Sequence, residues 1–288
     1  MANYLVTGAT GYLGRKLTGV LTENGDKVYV LVREISTATF KNEITQIKIS
    51  NSPEEFVRSI PLGLDAVFHL AAAINFEKDG KDIVDIIDAN LRFPTLLLHA
   101  MKENAICRFI NIGTYWQAMS VDSEVANTIY GASKSALEPI IDYYSKFHNI
   151  NTISIRLPDV YGEDDCRLKL LTLLKNAPAF SEFDLTGGEQ CIFPLHVDDV
   201  VSAVILACNR LMEPNHLASH KRYSIFGKSL TLRQFVQLFC SINELKLHLN
   251  WHAKPYADSQ IFSPLNLDVL PNWEQKITLD QGLRRYRR

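Results

Sequence analysis

The stretch Tyr4-Leu-Val-Thr-Gly-Ala-Thr-Gly-Tyr-Leu-Gly14 is the starting point for interpreting the chain. Apolar and β-branched residues lead into Gly8, Gly11 and Gly14 follow at intervals of three, and an amphipathic helical pattern begins at Leu13. Strand, glycine turn and helix in this order predict the phosphate-binding start of a dinucleotide-binding unit. One glycine turns the chain, one lets the backbone approach a pyrophosphate at the helix N-terminus, and one lets the helix pack on the strand. A plain glycine turn is the alternative.

Length, composition and charge restrict the class of protein. The 288 residues suit one large α/β domain or two modest ones. A hydrophobic content of 47% with 22% charged residues indicates a globular chain. The net charge of −2 and the lack of a long basic run argue against nucleic acid as a partner.

Targeting and redox signals predict a cytoplasmic protein without a membrane partner. The N-terminus enters a strand by Tyr4 and has no signal-peptide pattern. No apolar segment reaches the roughly 18 residues that a membrane span requires. The five cysteines are scattered and never spaced C-x-x-C, so we expect reduced thiols and neither a disulfide framework nor a metal site.

Strands alternate with helices over the first part of the chain. After the first strand, further strands are predicted at Lys27–Val32, Ile44–Ile49, Asp65–Leu70, Cys107–Ile112 and Thr152–Arg156. Helices are predicted from Ser52 and at Asp82–Asn104, Tyr130–His148, Asp198–Arg210 and Thr231–Ile242. Near-continuous apolar strands between helices predict a Rossmann-like, doubly wound parallel sheet of the α/β class. Ligands of such folds bind at the carboxyl ends of the strands.

The alternation breaks after Pro158, which suggests two units. We expect residues 1–157 to form a dinucleotide-binding Rossmann domain, with 192–212 returning to it. Residues 158–288 are expected to form a smaller C-terminal substrate-binding lobe. No Pro/Ser-rich linker separates the two, so the lobe is not expected to be independent.

Three polar residues are candidates for acid–base chemistry. Tyr130 and Lys134 stand at i and i+4 near a predicted helix start and share one helical face. A nearby ammonium lowers the tyrosine pKa from about 10, so the pair could exchange a proton with a substrate oxygen. Thr114 ends the fifth strand, where its hydroxyl could donate a hydrogen bond to a carbonyl. A solvated helix end and a turn-closing threonine are the alternatives.

Several motifs follow one another in a recognisable order along the whole chain. They are T-G-x-x-G-x-x-G at Thr7–Gly14, H-L-A-A at His69–Ala72, Asn90 with Thr95-Leu-Leu-Leu98, Arg156-Leu-Pro-Asp-Val-Tyr-Gly162, His196-Val-Asp-Asp-Val200, and a W-x(5)-L-x-x-G-L pattern at Trp273–Leu283. Together they resemble the extended short-chain dehydrogenase/reductase family, nucleotide-sugar branch. Within that branch the chain is most similar to the 4-ketoreductases that finish 6-deoxy and 3,6-dideoxy sugars, such as CDP-linked abequose, paratose and ascarylose.

The resemblance implies a set of site residues and a homodimer. The catalytic residues would be Thr114, Tyr130 and Lys134. The cofactor would be bound by Gly8, Thr10, Gly11, Tyr12, Leu13, Gly14, Arg33, Leu70, Ala71, Ala72, Asn90, Tyr130, Lys134 and Pro158. The substrate would be bound by Thr114, Tyr115, Trp116 and Arg167. The dimer would form through the helices around 82–104 and 130–148.

Two departures from the family refine this prediction. The family's 4,6-dehydratases carry Asp-Glu after the catalytic threonine, whereas Tyr115-Trp116 stands here and argues against dehydration. Trp116 could line a sugar pocket or pack in the core. An acidic residue after the second strand would bind the ribose of NAD, but Arg33 stands there and could grip the 2′-phosphate of NADP(H), reinforced by Arg15. NADP(H) is therefore predicted over NAD(H), with Arg33 as a plain surface residue as the alternative.

The chain lacks the arginine that binds the phosphates of the nucleotide sugar in members of the family. Family members carry Arg-Asp-Phe before the H-V-D-D-V motif, and this chain has Ile192-Phe193-Pro194. Either Arg167, Lys169 or Arg222 binds the phosphates, or the substrate is not a nucleotide sugar. Pro158-Asp159 also replaces the usual aromatic–Asn pair, which alters the expected contacts to the nicotinamide.

The predicted function is NADPH-dependent reduction of the 4-keto group of a nucleotide-linked 6-deoxy or 3,6-dideoxy sugar, with Tyr130 as the general acid. One alternative is a nucleotide-sugar 4-epimerase with tightly bound NAD. A non-catalytic NADP-sensing protein is the second alternative.

Overall fold

The computed structural model describes residues 1–35, 40, 44–74, 80–118, 125–213, 219–257, 260–263 and 268–286. Its strands are β1 (Asn3–Thr7), β2 (Lys27–Val32), β3 (Thr45–Lys48), β4 (Ala66–His69), β5 (Arg108–Thr114), β6 (Asn151–Leu157), β7 (Val160–Tyr161), β8 (Glu182–Asp184), β9 (Cys191–Ile192), β10 (Leu195–His196), β11 (His220–Ser224), β12 (Leu230–Thr231) and β13 (His248–Asn250). Its α-helices are α1 (Tyr12–Glu23), α2 (Pro53–Ser59), α3 (Gly80–Ile87), α4 (Phe93–Glu103), α5 (Ile129–His148), α6 (Leu170–Asn176), α7 (Val197–Met212), α8 (Leu232–Ile242) and α9 (Leu279–Arg285).

Seven strands form the central sheet, in the order β11-β6-β5-β4-β1-β2-β3. All neighbouring pairs of this sheet are parallel, which confirms the predicted Rossmann-like, doubly wound fold. The order changes direction between β1 and β4, where Thr7 lies opposite His69. Ligands of open α/β sheets bind beyond the carboxyl ends of the strands at such a switch point. The ends of β1 and β4 therefore mark the expected place of the site.

Both faces of the sheet are buried. On β1 and β2, Val6 and Val30 belong to one apolar core, whereas Leu5 and Leu31 belong to the core on the other side. Because side chains alternate along a strand, this division places one core on each face. Burial of each such side chain contributes about 1.5–3 kcal/mol. The strands are continuous apolar runs in the sequence because both of their faces are covered.

The predicted helix at 82–104 contains a π-helical turn at Asp88–Arg92, which joins α3 to α4. The turn carries Asn90, whose side chain is fully buried. The amide nitrogen of Asn90 donates to the carbonyl of Ala73 and the hydroxyl of Ser133, and its oxygen accepts from the Ala73 N–H. With its amide engaged in this way, Asn90 supports the loop after β4, and its contact with a cofactor stays a prediction. Among the described residues, no helix combines the length and apolarity of a membrane span.

Strand β11 was not predicted from the sequence. It pairs with β6, with His220 opposite Thr152 and Ser224 opposite Arg156. Its sequence His-Lys-Arg-Tyr-Ser is mostly polar because it lies at the edge of the sheet, and such a strand lacks the apolar run that marks the inner strands. The range 158–288 therefore supplies a seventh strand to the sheet, which corrects the predicted content of the C-terminal lobe.

The rest of that range has an apolar core of its own. Leu174, Phe239 and Leu283 bring α6, α8 and α9 together. Two-stranded sheets of β7 with β10, β8 with β13, and β9 with β12 surround this core. Helix α7 instead packs against β5 and β6 of the central sheet. The boundary at residue 157 stays a prediction.

Candidate active site

Close backbone packing requires glycine at both ends of the loop that follows β1. Gly8 has a φ of +69°, and a Cβ added there would lie 2.6 Å from the backbone nitrogen of Ala71. A Cβ on Gly14 would lie 2.2 Å from the carbonyl oxygen of Gly8. Gly8 therefore makes the turn against the segment after β4, and Gly14 lets α1 pack directly on the loop.

The top of the same loop is accessible to a ligand. Thr10 and Gly11 are exposed, and a Cβ on Gly11 would meet only the Gly8 carbonyl oxygen, at 3.2 Å. Gly11 caps α1 without a side-chain hydrogen bond. The first N–H groups of the helix therefore remain available to an anion. These features fit the pyrophosphate of a dinucleotide.

Tyr12 and Leu13, both predicted to bind the cofactor, direct their side chains inwards. The Tyr12 hydroxyl donates to the carbonyl oxygen of Glu163 at 2.9 Å, and the Arg167 guanidinium lies 4.7 Å from the centre of its ring. Leu13 packs against the apolar core. The backbone N–H groups of these two residues are therefore the atoms that can face a cofactor.

The segment after β4 lies against the glycine loop. The N–H of Leu70 donates to the Thr7 carbonyl, and the N–H of Ala71 donates to the Thr7 hydroxyl, both at 3.2 Å. Leu70 and Ala71 are half-buried, and Ala72 is exposed. The two sequence motifs, glycine loop and H-L-A-A, thus meet at the switch point.

The remaining cofactor candidates lie at other strand ends. Arg33 is exposed immediately after β2. Pro158 is buried immediately after β6. Arg15 is exposed and donates to the carbonyl of Thr10, so its guanidinium lies on the glycine loop. Arg33 and Arg15 are thus both accessible at the ligand edge of the sheet.

Thr114 closes a turn and also keeps a donor for a ligand. It is the last residue of β5, and its hydroxyl oxygen accepts from the N–H of Trp116 at 3.3 Å. Thr114 therefore closes a turn, as the alternative interpretation of the sequence predicted. Because the oxygen serves as the acceptor in that bond, the hydroxyl hydrogen can still be donated.

Tyr130 lies in the first turn of α5, whose N-cap Thr128 accepts from the N–H of Gly131. A Cβ on Gly131 would lie 2.2 Å from the Trp116 carbonyl oxygen, so glycine lets α5 pack on the turn after Thr114. The Tyr130 ring is buried and meets the Trp116 ring edge-on at 6.2 Å between centroids. The proposed catalytic threonine and tyrosine are brought together by this packing.

Lys134 is buried and donates from Nζ to the carbonyl oxygen of Ile112 at 2.9 Å. Burial lowers the pKa of Lys134 to about 8. Burial also raises the pKa of Tyr130, because the phenol lies in an apolar environment, and this opposes the lowering that is expected from Lys134.

Two functional-site residues were missed from the sequence. Gln117 accepts from the Thr114 N–H at 2.8 Å and donates to Glu138 at 2.9 Å. Glu138 follows Lys134 by four residues on α5, so it lies on the same helical face. This link ties the threonine turn to the helix that carries the tyrosine and the lysine. The i, i+4, i+8 spacing of Tyr130, Lys134 and Glu138 was the available signal.

A cavity of about 810 Å³ opens beside Tyr130. Its wall combines the turn after β5, the start of α5 and the C-terminal lobe, and includes Tyr115, Trp116, Asp159, Lys169, Ile192 and Phe235. The volume lies in the range of small-molecule and cofactor sites. Tyr115 and Trp116, predicted to bind substrate, both line it. Trp116 therefore faces the cavity and also packs on Tyr130, so both alternatives for this residue apply.

The three cations considered for substrate phosphates have different surroundings. Arg222 pairs with Glu138 and Asp142. The Arg167 guanidinium is engaged by Asp165, with contacts of 2.6 and 2.7 Å. Lys169 lines the cavity. The structure thus favours Lys169 over the predicted Arg167 as the cation that faces a substrate.

The fold and the site define a dinucleotide-dependent enzyme of the oxidoreductase type, because a glycine loop at the switch point adjoins a Thr–Tyr–Lys set and a cavity. The chain belongs to the NAD dependent epimerase/dehydratase family, whose model matches residues 4–220. This confirms the family prediction made from the motifs.

Individual relatives are similar over nearly the whole chain. The CDP-abequose synthase of Yersinia pseudotuberculosis is 30% identical over 271 residues, which cover 90% of each chain. The UDP-glucose 4-epimerase of Thermotoga maritima, solved with UDP-glucose, has a TM-score of 0.80 at 21% identity and covers 98% of this chain and 96% of that one. The UDP-glucuronic acid 4-epimerase of Bacillus cereus, solved with UDP-glucuronic acid and NAD, has a TM-score of 0.77 at 20% identity and covers 98% and 97%.

Proposed function

We propose that the protein uses NADPH to reduce the 4-keto group of a nucleotide-linked 6-deoxy or 3,6-dideoxy sugar. The observation that carries this proposal is the Tyr130 phenol at the cavity wall, on a helix that packs against the turn after Thr114. A protonated phenol is the form that can give a proton to a developing alkoxide. Similarity to a CDP-abequose synthase supports a nucleotide-linked sugar as the substrate.

In this mechanism the nicotinamide, when bound, supplies a hydride to the carbonyl carbon. The Thr114 hydroxyl donates a hydrogen bond to the carbonyl oxygen, since its own oxygen is already held by the Trp116 N–H. Tyr130 gives its proton to that oxygen as negative charge develops on it. Lys134, charged below about pH 8, stabilises the phenolate that remains. The Tyr115-Trp116 pair supplies no second acid and base, so reduction is favoured over dehydration.

The direct test is NADPH oxidation with a panel of CDP-, dTDP-, UDP- and GDP-linked 4-keto-6-deoxy sugars. We expect turnover with at least one of them and a product that carries a new hydroxyl at C4. Turnover limited to simple ketones would reject the nucleotide-sugar substrate and leave the reductase. Lys169 is the residue that we expect to face the substrate's phosphates, because it is the cavity-lining cation among the described residues.

The choice of NADPH over NADH predicts a specific effect of Arg33→Ala. Loss of a guanidinium that binds the 2′-phosphate should raise the KM for NADPH by about 10-fold and leave the KM for NADH unchanged. Steady-state kinetics with both cofactors measure this. Arg58→Ala is the control. Arg58 is also an exposed arginine but lies on α2, so its loss should change the KM for neither cofactor. Equal changes for the two cofactors with Arg33→Ala would contradict the assignment.

A nucleotide-sugar 4-epimerase is the second candidate, because the similar solved structures include 4-epimerases. An epimerase must first remove a proton from a hydroxyl, for which a protonated, buried phenol is poorly prepared. NAD retained through purification, with C4 inversion and no net NADPH consumption, would establish this alternative. Cofactor binding without turnover of any carbonyl would instead indicate the sensing protein.

A homodimer through α3, α4 and α5 is part of the proposal. Exposed apolar side chains support it, with Val84 58%, Tyr143 51% and Phe147 63% exposed. We expect light scattering to give twice the chain mass. Phe147→Asp should weaken the dimer at least about 10-fold, because it buries a charge in the interface. Phe180→Asp, at a similarly exposed aromatic position between α6 and β8 and outside the three helices, is the control. A monomeric wild-type protein at micromolar concentration would reject the dimer.

A further inference from the structure

Three charged side chains line the cavity in the described part of the chain: Asp159, Asp165 and Lys169. Asp165 has its own partner in the Arg167 guanidinium. Asp159 differs, because within the described residues its carboxylate forms no ion pair. Its neighbours are polar but uncharged, apart from a longer-range attraction to Lys169. An unpaired carboxylate in a ligand cavity needs an explanation.

The carboxylate of Asp159 is held by the Tyr115 hydroxyl and the Phe193 N–H, both at long hydrogen-bond distances. Its carboxylate oxygens accept from the Tyr115 hydroxyl at 3.2 and 3.4 Å, and one of them accepts from the Phe193 N–H at 3.4 Å. A carboxylate has room for about four hydrogen bonds, so acceptor capacity remains towards the cavity. Tyr115 directly follows Thr114, which places Asp159 one tyrosine side chain away from the catalytic turn. That is the end of the cavity where the sugar must lie.

The electrostatic setting of Asp159 is unfavourable for a second negative charge. Burial raises its pKa, and Lys169 only partly opposes this. A sugar carboxylate placed next to Asp159 would have no cation to neutralise it, so its burial would be unfavourable. The diphosphate of a nucleotide sugar is itself anionic and competes for Lys169, which is the cation that lines the cavity in the described residues.

We infer that Asp159 makes the sugar site selective for a neutral, hydroxyl-bearing sugar and excludes sugars that carry a carboxylate, such as uronic acids. The inference rests on the proposed function, because it takes a nucleotide sugar as the ligand. The fold alone leaves this choice open, since similar solved structures hold UDP-glucose in one case and UDP-glucuronic acid in another. Asp159 accepts from a sugar hydroxyl and repels a sugar carboxylate.

The test compares two ligands that differ only at C6 of the sugar. Binding of UDP-glucose and of UDP-glucuronic acid to the full-length protein with saturating NADP⁺ is measured by isothermal titration calorimetry. We expect UDP-glucose to bind at least about 10-fold more tightly, which is a modest effect for two like charges in a cavity. Asp159→Asn should reduce this ratio by at least about 5-fold. Asp164→Asn removes the same charge from the neighbouring loop, outside the cavity, and should leave the ratio unchanged.

Three results would overturn the inference or the proposed function on which it rests. Equal or tighter binding of UDP-glucuronic acid by the wild-type protein overturns the inference, and this measurement needs no variant. An unchanged ratio in Asp159→Asn, with wild-type thermal unfolding and NADP⁺ affinity, also overturns it. Asp159→Ser serves as a second variant if the asparagine does not fold. If neither UDP-sugar binds but the turnover panel identifies another nucleotide, the same comparison is made with the glucose and glucuronic acid derivatives of that nucleotide. If no member of the panel is turned over, the nucleotide-sugar part of the proposed function fails and the inference fails with it.

Discussion

Tyr130→Phe is expected to lower kcat by at least about 100-fold, because general acid catalysis contributes about 10²–10⁴-fold. The substitution removes the proton donor and keeps the buried ring and its edge-on contact with Trp116. The KM for the ketone substrate and the affinity for NADPH should change little. Stopped-flow measurement of a single NADPH oxidation reports the chemical step directly.

Tyr143→Phe is the matched control for this experiment. Tyr143 lies on the same helix α5, but it is 51% exposed and its hydroxyl contacts His148. We expect its kcat to stay within about 2-fold of the wild-type value, as for most surface changes. Near-full activity of Tyr130→Phe would remove Tyr130 from the mechanism.

Lys134→Met is expected to abolish most activity and to stabilise the folded protein. Activity falls, by at least about 100-fold, because the positive charge that stabilises the Tyr130 phenolate is lost. Stability rises because burial lowers the Lys134 pKa from 10.5 to about 8, which corresponds to a cost of about 3 kcal/mol for the charged form. The variant also loses the hydrogen bond to the Ile112 carbonyl, which lowers its stability by about 1 kcal/mol. The net expectation near neutral pH is about 2 kcal/mol.

The stability difference between Lys134→Met and the wild type should depend on pH. Below about pH 8 the lysine is charged in both the folded and the unfolded chain, and the full cost of burying the charge applies. Between about pH 8 and 10.5 the unfolded chain binds more protons than the folded chain, so wild-type stability gains on that of the variant as the pH rises. Urea unfolding of both proteins across this range measures the difference. Lys146→Met, an exposed lysine of the same helix, should show no such trend. A variant less stable than wild type at pH 7 would contradict the assignment.

Residues whose roles depend on local pattern were predictable. The glycine spacing, the apolar strands and the i, i+4 pair of Tyr130 and Lys134 are each read from a few consecutive residues. The Ser52 cap of α2 is another such case, since its hydroxyl accepts from the Glu55 N–H as an N-cap serine should. Backbone geometry and side-chain period link these features directly to sequence, so the fold class could be predicted from them, and the order of the motifs along the chain indicated the family.

Residues whose roles depend on distant partners were not predictable. Asn90 is engaged by Ala73, and the Arg167 guanidinium packs on the ring of Tyr12. Neither partner can be inferred from sequence spacing, because tertiary packing decides which residues come into contact. The same holds for β11, whose place beside β6 joins segments far apart in the chain.

By itself, the sequence predicted the strand–glycine–helix start and the doubly wound sheet, because these follow from short-range steric and periodic rules, and the resemblance of its motifs to a family implied the candidate catalytic residues. Only the tertiary structure decided their chemical state. Burial raises the Tyr130 pKa, and the carbonyl of Ile112 holds the Lys134 ammonium. It also brought the carboxylate of Asp159 and the ammonium of Lys169 to one cavity. Desolvation and charge proximity are properties of the packed chain, and no stretch of sequence carries them alone.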